Sequence, residues 1–142
     1  MRITVNHFKK LTRAEADRLN ASEGGWGSEP RFTRYADITM SAKLEAVIEA
    51  LLMREYDIVA DLEVADLDDA FEKSNTITAP WIENAEVTSL GDEYKEGARS
   101  SSVGDIFSDP DSGKYWLIEP VGFKDITHEV NGAQIARRRG EK

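Results

Sequence analysis

Leu44, Val47, Ile48, Leu51 and Leu52 recur at i, i+3, i+4, i+7 and i+8, with Lys43, Glu45 and Glu49 set between them. An apolar stripe on a 3.6-residue period predicts an amphipathic helix through "SAKLEAVIEALLMRE". From Tyr56 the period falls to two. Tyr56, Ile58, Ala60, Leu62 and Val64 alternate with Asp57, Asp61 and Glu63, which predicts a strand with one core face and one acidic face. "RITVNHF" alternates Ile3, Val5 and His7 with Thr4, Asn6 and Phe8 and is β-branched enough for another strand. "RFTRYADITM" also reads as a strand.

Local signals place the boundaries. Thr12 and Glu15 stand at capping-box spacing ahead of "RAEADRLNAS", so a helix is expected there, ended by the glycines of Gly24-Gly25-Trp26-Gly27. Asp66 can cap a short helix, "LDDAFEKSN", with Leu67 and Phe71 on one side and Asp68 and Asp69 near its positive end. Residues 82–101 are polar, and "LGDEYKEG" is their expected mobile section. "VGDIF" and "KYWLIEP" flank the turn-forming "SDPDSG" as a hairpin, and "GFKDI" makes a last short strand. Asn131-Gly132 suggests a type I′ turn before Arg137-Arg138-Arg139.

This order predicts an α+β domain over residues 1–126: a mixed or mainly antiparallel sheet with two to three helices packed on it, ending in a C-terminal β-hairpin. Residues 127–142 are expected to form a partly flexible basic tail. At 142 residues, with 40% hydrophobic and 32% charged side chains, one folded domain is the default expectation. No apolar run approaches a membrane span, and "MRITVNHFKK" lacks a signal-peptide core, so a cytoplasmic location without membrane contact is expected. With no cysteine, thiol chemistry, thiolate metal sites and disulfides are excluded.

The net charge of −9 is unevenly spread: residues 1–40 sum to +2, residues 41–98 to −11 and residues 99–142 to zero. Eight acidic side chains fall between Glu55 and Glu72 with no lysine or arginine among them, a stretch that repels a phosphate backbone.

"RSSSVGDIF" is the stretch closest to chemistry, yet it lacks the G-x-S-x-G spacing and following helix of a nucleophile elbow, and no spacing brings His7 or His128 to it. Its simpler reading is a strand start, with Gly104 permitting unusual dihedrals and Asp105 bonding nearby N–H groups. "DPDSG" has glycine one position too early for a calcium loop. No catalytic residue, cofactor or metal site is therefore assigned. Trp26, Trp81 and Trp116 are expected in packing, the latter two serving as interface anchors if exposed.

"LDDAFEKSNT", "ITAPWIEN", "RSSSVGDIF" and "VGFKDI" together resemble a group of small phage, plasmid and integrated-element proteins, and are similar to the YodL-like domain. Its hallmark is a Leu-x-x-x-Phe helix ending in Asn, then R-S-x-S-V-G-D, a hairpin and G-F-x-[DE]-[IL]. Phe71, Asn75, Ser100, Ser102, Val103, Gly104, Asp105, Gly122, Phe123, Asp125 and Ile126 fit it, while Pro120-Val121 stand where that group has serine or alanine before "FGF". The resemblance implies a mobile-element accessory protein and carries no catalytic residue.

With the acidic run, it leads to a non-enzymatic protein that binds a host or viral protein through Asp57, Asp61, Glu63, Asp66, Asp68, Asp69 and Glu72. One form of this is nucleic-acid mimicry toward a basic, nucleic-acid-binding enzyme. The alternative is a nucleic-acid-binding module using the C-terminal hairpin, Arg99, Lys114, Lys124 and the arginine tail. That module requires those cations to gather with Trp116 or Tyr115 on one face. A third reading, a carboxylate enzyme, requires a pocket lined by Asp105 and a histidine.

Overall fold

A computed structural model describes residues 1–75, 87–89 and 99–140. Trp81, "ITAPWIEN" and "LGDEYKEG" lie outside the described residues. The elements run β1 (Arg2–Phe8), α1 (Arg13–Ala21), α2 (Pro30–Ser41), α3 (Leu44–Leu52), β2 (Tyr56–Glu63), α4 (Leu67–Lys73), β3 (Val87–Ser89), β4 (Ile106–Asp109), β5 (Lys114–Ile118), β6 (Phe123–Asp125) and α5 (Thr127–Gly140). A 3₁₀ turn at Gly25–Gly27 follows α1. The class is α+β, as expected.

One six-stranded sheet in the order β3-β2-β1-β4-β5-β6 unites the strands, and every neighbouring pair is antiparallel. The N-terminal strand thus sits at the centre. On one face Ile3, Val5, Leu62 and Phe107 pack with Ala70 of α4 and with Ile118. On the other, Phe8, Ile106 and Leu117 meet Ile38 of α2, Val47 and Ala50 of α3, Ile126, and Val130 of α5. Each fully buried Val, Leu, Ile or Phe contributes roughly 1.5–3 kcal/mol to this two-sided core.

Local chemistry holds the ends of the elements as the sequence indicates. The Thr12 hydroxyl accepts from the Glu15 N–H at 3.1 Å, and the Glu15 carboxylate accepts from the Thr12 N–H at 2.9 Å, completing the capping box. Asp66 caps α4 through the Asp69 N–H at 2.8 Å.

Four features depart from the sequence reading. "RFTRYADITM" is helical, not a strand: Pro30 opens α2, and Phe32, Tyr35 and Ile38 at three-residue spacing turn toward the core. Arg34 is buried with them because Glu55 accepts from its Nε at 2.7 Å and from its Nη2 at 3.0 Å. Helical period and this ion pair override the β-propensity of the segment. Five α-helices, rather than two to three, are present among the described residues.

The chain also continues past its hairpin. Asn131-Gly132 is not a turn but lies inside α5, whose first N–H, from Thr127, reaches Asp125 Oδ1 at 2.9 Å. Ile126 and Val130 anchor this last helix in the core.

The fourth departure is in β2. Its register against β1 slips between Val5↔Ala60 and Asn6↔Ile58, leaving Val59 as a bulge. Alternation therefore breaks: Tyr56 and Ile58 face the side of α3 and α5, whereas Ala60 and Leu62 face α4. Asp57 lies on the opposite face from Asp61 and Glu63, so the single acidic strand face does not form.

Candidate functional site

"RSSSVGDIF" folds around Asp105, whose side chain is 1% exposed. Its Oδ1 accepts from the Phe8 N–H at 2.8 Å and from Arg99 Nη2 at 2.6 Å. Its Oδ2 accepts from the Ser102 N–H at 2.8 Å and from Arg99 Nη1 at 2.6 Å. Arg99 Nη2 also donates to the Phe8 carbonyl at 3.0 Å. A bidentate guanidinium and two backbone donors thus neutralise the buried carboxylate and tie the end of β1 to the approach to β4.

Gly104, the residue before Asp105, sits at φ +92°, donating its N–H to the Ile118 carbonyl at 2.9 Å and accepting the Tyr56 hydroxyl at its own carbonyl at 2.5 Å. Burial, with the Asp105 carboxylate second, raises the Tyr56 phenol well above its ordinary range, so it stays a donor. Beside the clamp opens a cavity of about 400 Å³ lined by Lys10, Tyr35, Thr39, Arg99, Ser102 and others. Arg99 already faces Asp105, which leaves Lys10 as the second cation on that lining.

The register of β1 does bring a histidine to the serines, which sequence spacing gave no reason to expect. His7 Nε2 lies 3.0 Å from Ser101 Oγ and 4.0 Å from Asp105 Oδ2. A serine–histidine–carboxylate relay needs opposite ring nitrogens for its two partners, and here one nitrogen faces both. Burial pushes the imidazole down to about 4, against the raising effect of Asp105, so the 4.0 Å approach joins a neutral ring to a carboxylate and is no ion pair at neutral pH. Ser101 is 2% exposed and His7 is 4% exposed. Ser101 is further held by its N–H on the Ser74 carbonyl at 2.9 Å. The arrangement is a sealed hydrogen-bonded joint.

The acidic residues have mixed surroundings. Asp57 pairs with Lys9 at 3.5 Å, Asp61 accepts the Thr4 hydroxyl at 2.6 Å, and Asp66 is the cap of α4. Asp69 accepts the Ala65 N–H at 2.9 Å and pairs with Lys73 at 3.3 Å, with the backbone bond as the main cause holding its carboxyl below the usual range. Glu63, Asp68 and Glu72 are exposed. Among the described residues no three acidic or histidine side chains converge as metal ligands.

Two segments distant in sequence, α4 and β6, meet through their aromatic rings. Phe71, 37% exposed, meets the Phe123 ring edge-on at 6.3 Å between centroids. Phe123 also contacts Phe107 at 6.0 Å, which roots the pair in the core. The turn before β6 is closed by the Glu119 N–H on the Gly122 carbonyl at 3.0 Å, with Gly122 at φ +77°, and it carries Val121 outward at 90% exposure. Asp68, Phe71, Glu119, Pro120 and Phe123 border a shallow cavity of about 240 Å³ there. The Asn75 side-chain amide donates to the Phe71 carbonyl at the end of α4.

The cations of the hairpin do not gather. In the ladder Trp116 opposes Phe107 on the α4 face, with Lys114 in phase, while Tyr115 and Lys124 take the other face. Trp116 is partly buried against the α4-side core, and Arg99 is held by Asp105. Among the described residues no helix is long and apolar enough to cross a membrane. No family model, curated protein or solved structure matches the chain.

Proposed function

We propose that this chain is a non-catalytic accessory protein of a phage, plasmid or integrated element that acts by binding a host or viral protein. The observation carrying this reading is the surface made by α4 and the β5–β6 turn. There exposed Phe71 and Val121 stand beside Asp68, Glu72 and Glu119. Aromatic and aliphatic anchors beside carboxylates suit a partner with an apolar spot flanked by basic groups. Carboxylates on a short helix also suit mimicry of a phosphate row toward a basic enzyme. The bulge at Val59 splits the β2 carboxylates between the two faces of the sheet, with Asp61 and Glu63 turned away from α4, so such a row rests on Asp68 and Glu72 of α4 itself.

The test is capture of partners from the native host across a salt series, with the Asp68→Lys, Glu72→Lys double variant alongside. Both side chains are exposed, so the fold is expected to persist. Capture that falls steeply between low and high salt, and is lost in the variant, supports the proposal. Capture indifferent to salt and to both substitutions overturns it.

A further inference from the structure

A larger opening lies on the opposite face of the sheet, where α3 and α5 diverge. It has a volume of about 520 Å³, within the range of small-molecule sites. Ile48 and Leu51 of α3 form one wall, and Val130 and Ala133 of α5 form the other. Its floor is strand surface. Ile58 lies there 58% exposed on β2, a strand with partners on both sides. The bulge at Val59 produces this exposure, because it turns Ile58 toward the α3 and α5 side and out of the α4-side core.

The polar side chains of the opening are Asn6, Arg54, Tyr56, Tyr115 and Gln134, and the Tyr56 hydroxyl is already spent on the Gly104 carbonyl. Asn6 uses its amide nitrogen on Ser108 Oγ at 3.0 Å and on the Thr4 and Ile106 carbonyls at 3.3 Å each. Among the described residues no donor reaches Asn6 Oδ1, and no partner reaches the Tyr115 hydroxyl. Among the described residues Arg54 is the one charged residue on the lining and has no ion pair, and it is exposed. It is held at φ +57°, a left-handed conformation uncommon outside glycine, by its N–H on the Leu51 carbonyl at 3.2 Å. Among the described residues, an apolar trough, one cation without an ion pair, the Gln134 amide and two spare hydrogen-bonding oxygens define a ligand by complement.

We propose that this opening is a binding site for a small organic acid with an extended apolar body. The acid group pairs with Arg54, the body covers Ile58 between the two helices, and a donor on the ligand can meet Asn6 Oδ1 or Tyr115. With no acidic side chain on the lining among the described residues, the site favours an anion over its neutral counterpart. This site is separate from the α4 surface, so either reading can fail without the other.

The test titrates sodium decanoate, and separately decanol, into the ¹⁵N-labelled full chain while amide shifts are followed. Saturable decanoate shifts confined to Asn6, residues 48–58, Tyr115 and residues 130–134 are expected. Arg54→Gln should weaken decanoate about tenfold, the scale of one charge-assisted bond, and leave decanol unchanged. Ile58→Glu, at an exposed position, should abolish both. Shifts that never saturate or spread across the sheet overturn the proposal, as does decanoate affinity unchanged by Arg54→Gln. A native dimer that Ile58→Glu converts to monomer also overturns it, since a second copy would then cover the opening.

Discussion

Gly104→Ala tests the joint on which "RSSSVGDIF" turns. A Cβ built there would stand 2.5 Å from Ile38 Cγ2 and 2.8 Å from the Ile38 carbonyl oxygen, with the backbone at φ +92°. The backbone conformation costs a non-glycine residue about 1–3 kcal/mol. Overpacking against a fully buried isoleucine and the α2 backbone adds about 1–3 kcal/mol. Restricting the unfolded chain offsets roughly 0.4–1 kcal/mol of this. The net loss is about 2–5 kcal/mol, a large part of the roughly 5–15 kcal/mol that holds such a domain folded. In urea, with a slope of roughly 1–3 kcal/mol per molar, the midpoint should fall by at least about 0.7 M.

The Ile38→Leu background separates the two causes. Leucine has no γ2 methyl, so Gly104→Ala should cost about 1 kcal/mol less there, with the carbonyl clash and the dihedral cost left in place. A midpoint shift under about 0.3 M, or the same loss in both backgrounds, refutes the steric argument.

His7 makes stability depend on pH. Burial holds its folded-state pKa near 4, below the ordinary 6.5. As pH falls the unfolded chain takes the proton first, so this contribution is complete above pH 6.5, declines toward pH 4 and is flat below. Wild type should lose about 2–3 kcal/mol more than His7→Gln between pH 7 and pH 4.5, read from urea midpoints at each pH; equal losses would mean the folded imidazole protonates freely. Asp105→Ala leaves the Phe8 and Ser102 N–H groups and the Arg99 guanidinium without their acceptor, costing about 3–5 kcal/mol. Thermal unfolding should fall by roughly 10–20 °C, and a shift within about 2 °C would show that the carboxylate does not hold the strand ends together.

Local chemistry was the legible part of the fold. The Thr12–Glu15 box, the Asp66 cap, the α3 stripe and the β4–β5 turn each depend on side chains within a few residues of one another. α2 misled because its aromatic and β-branched residues suit a strand, and only burial of Phe32, Tyr35 and Ile38 along one stripe reveals the helix. The bulge at Val59 left no trace in an apolar–polar alternation that looked unbroken, because it depends on pairing with β1. His7 met Ser101 for the same reason: no periodicity states which strand lies beside which. Phe71 and Phe123 were visible as parts of one motif, but their ring contact required α4 and β6 to meet across the sheet.

The bond from the Ser101 N–H to the Ser74 carbonyl brings the chain back to the place it left. Because both partners are backbone atoms, this tie between the end of α4 and the approach to β4 survives Ser101→Ala and is cut by Ser101→Pro, since proline carries no N–H.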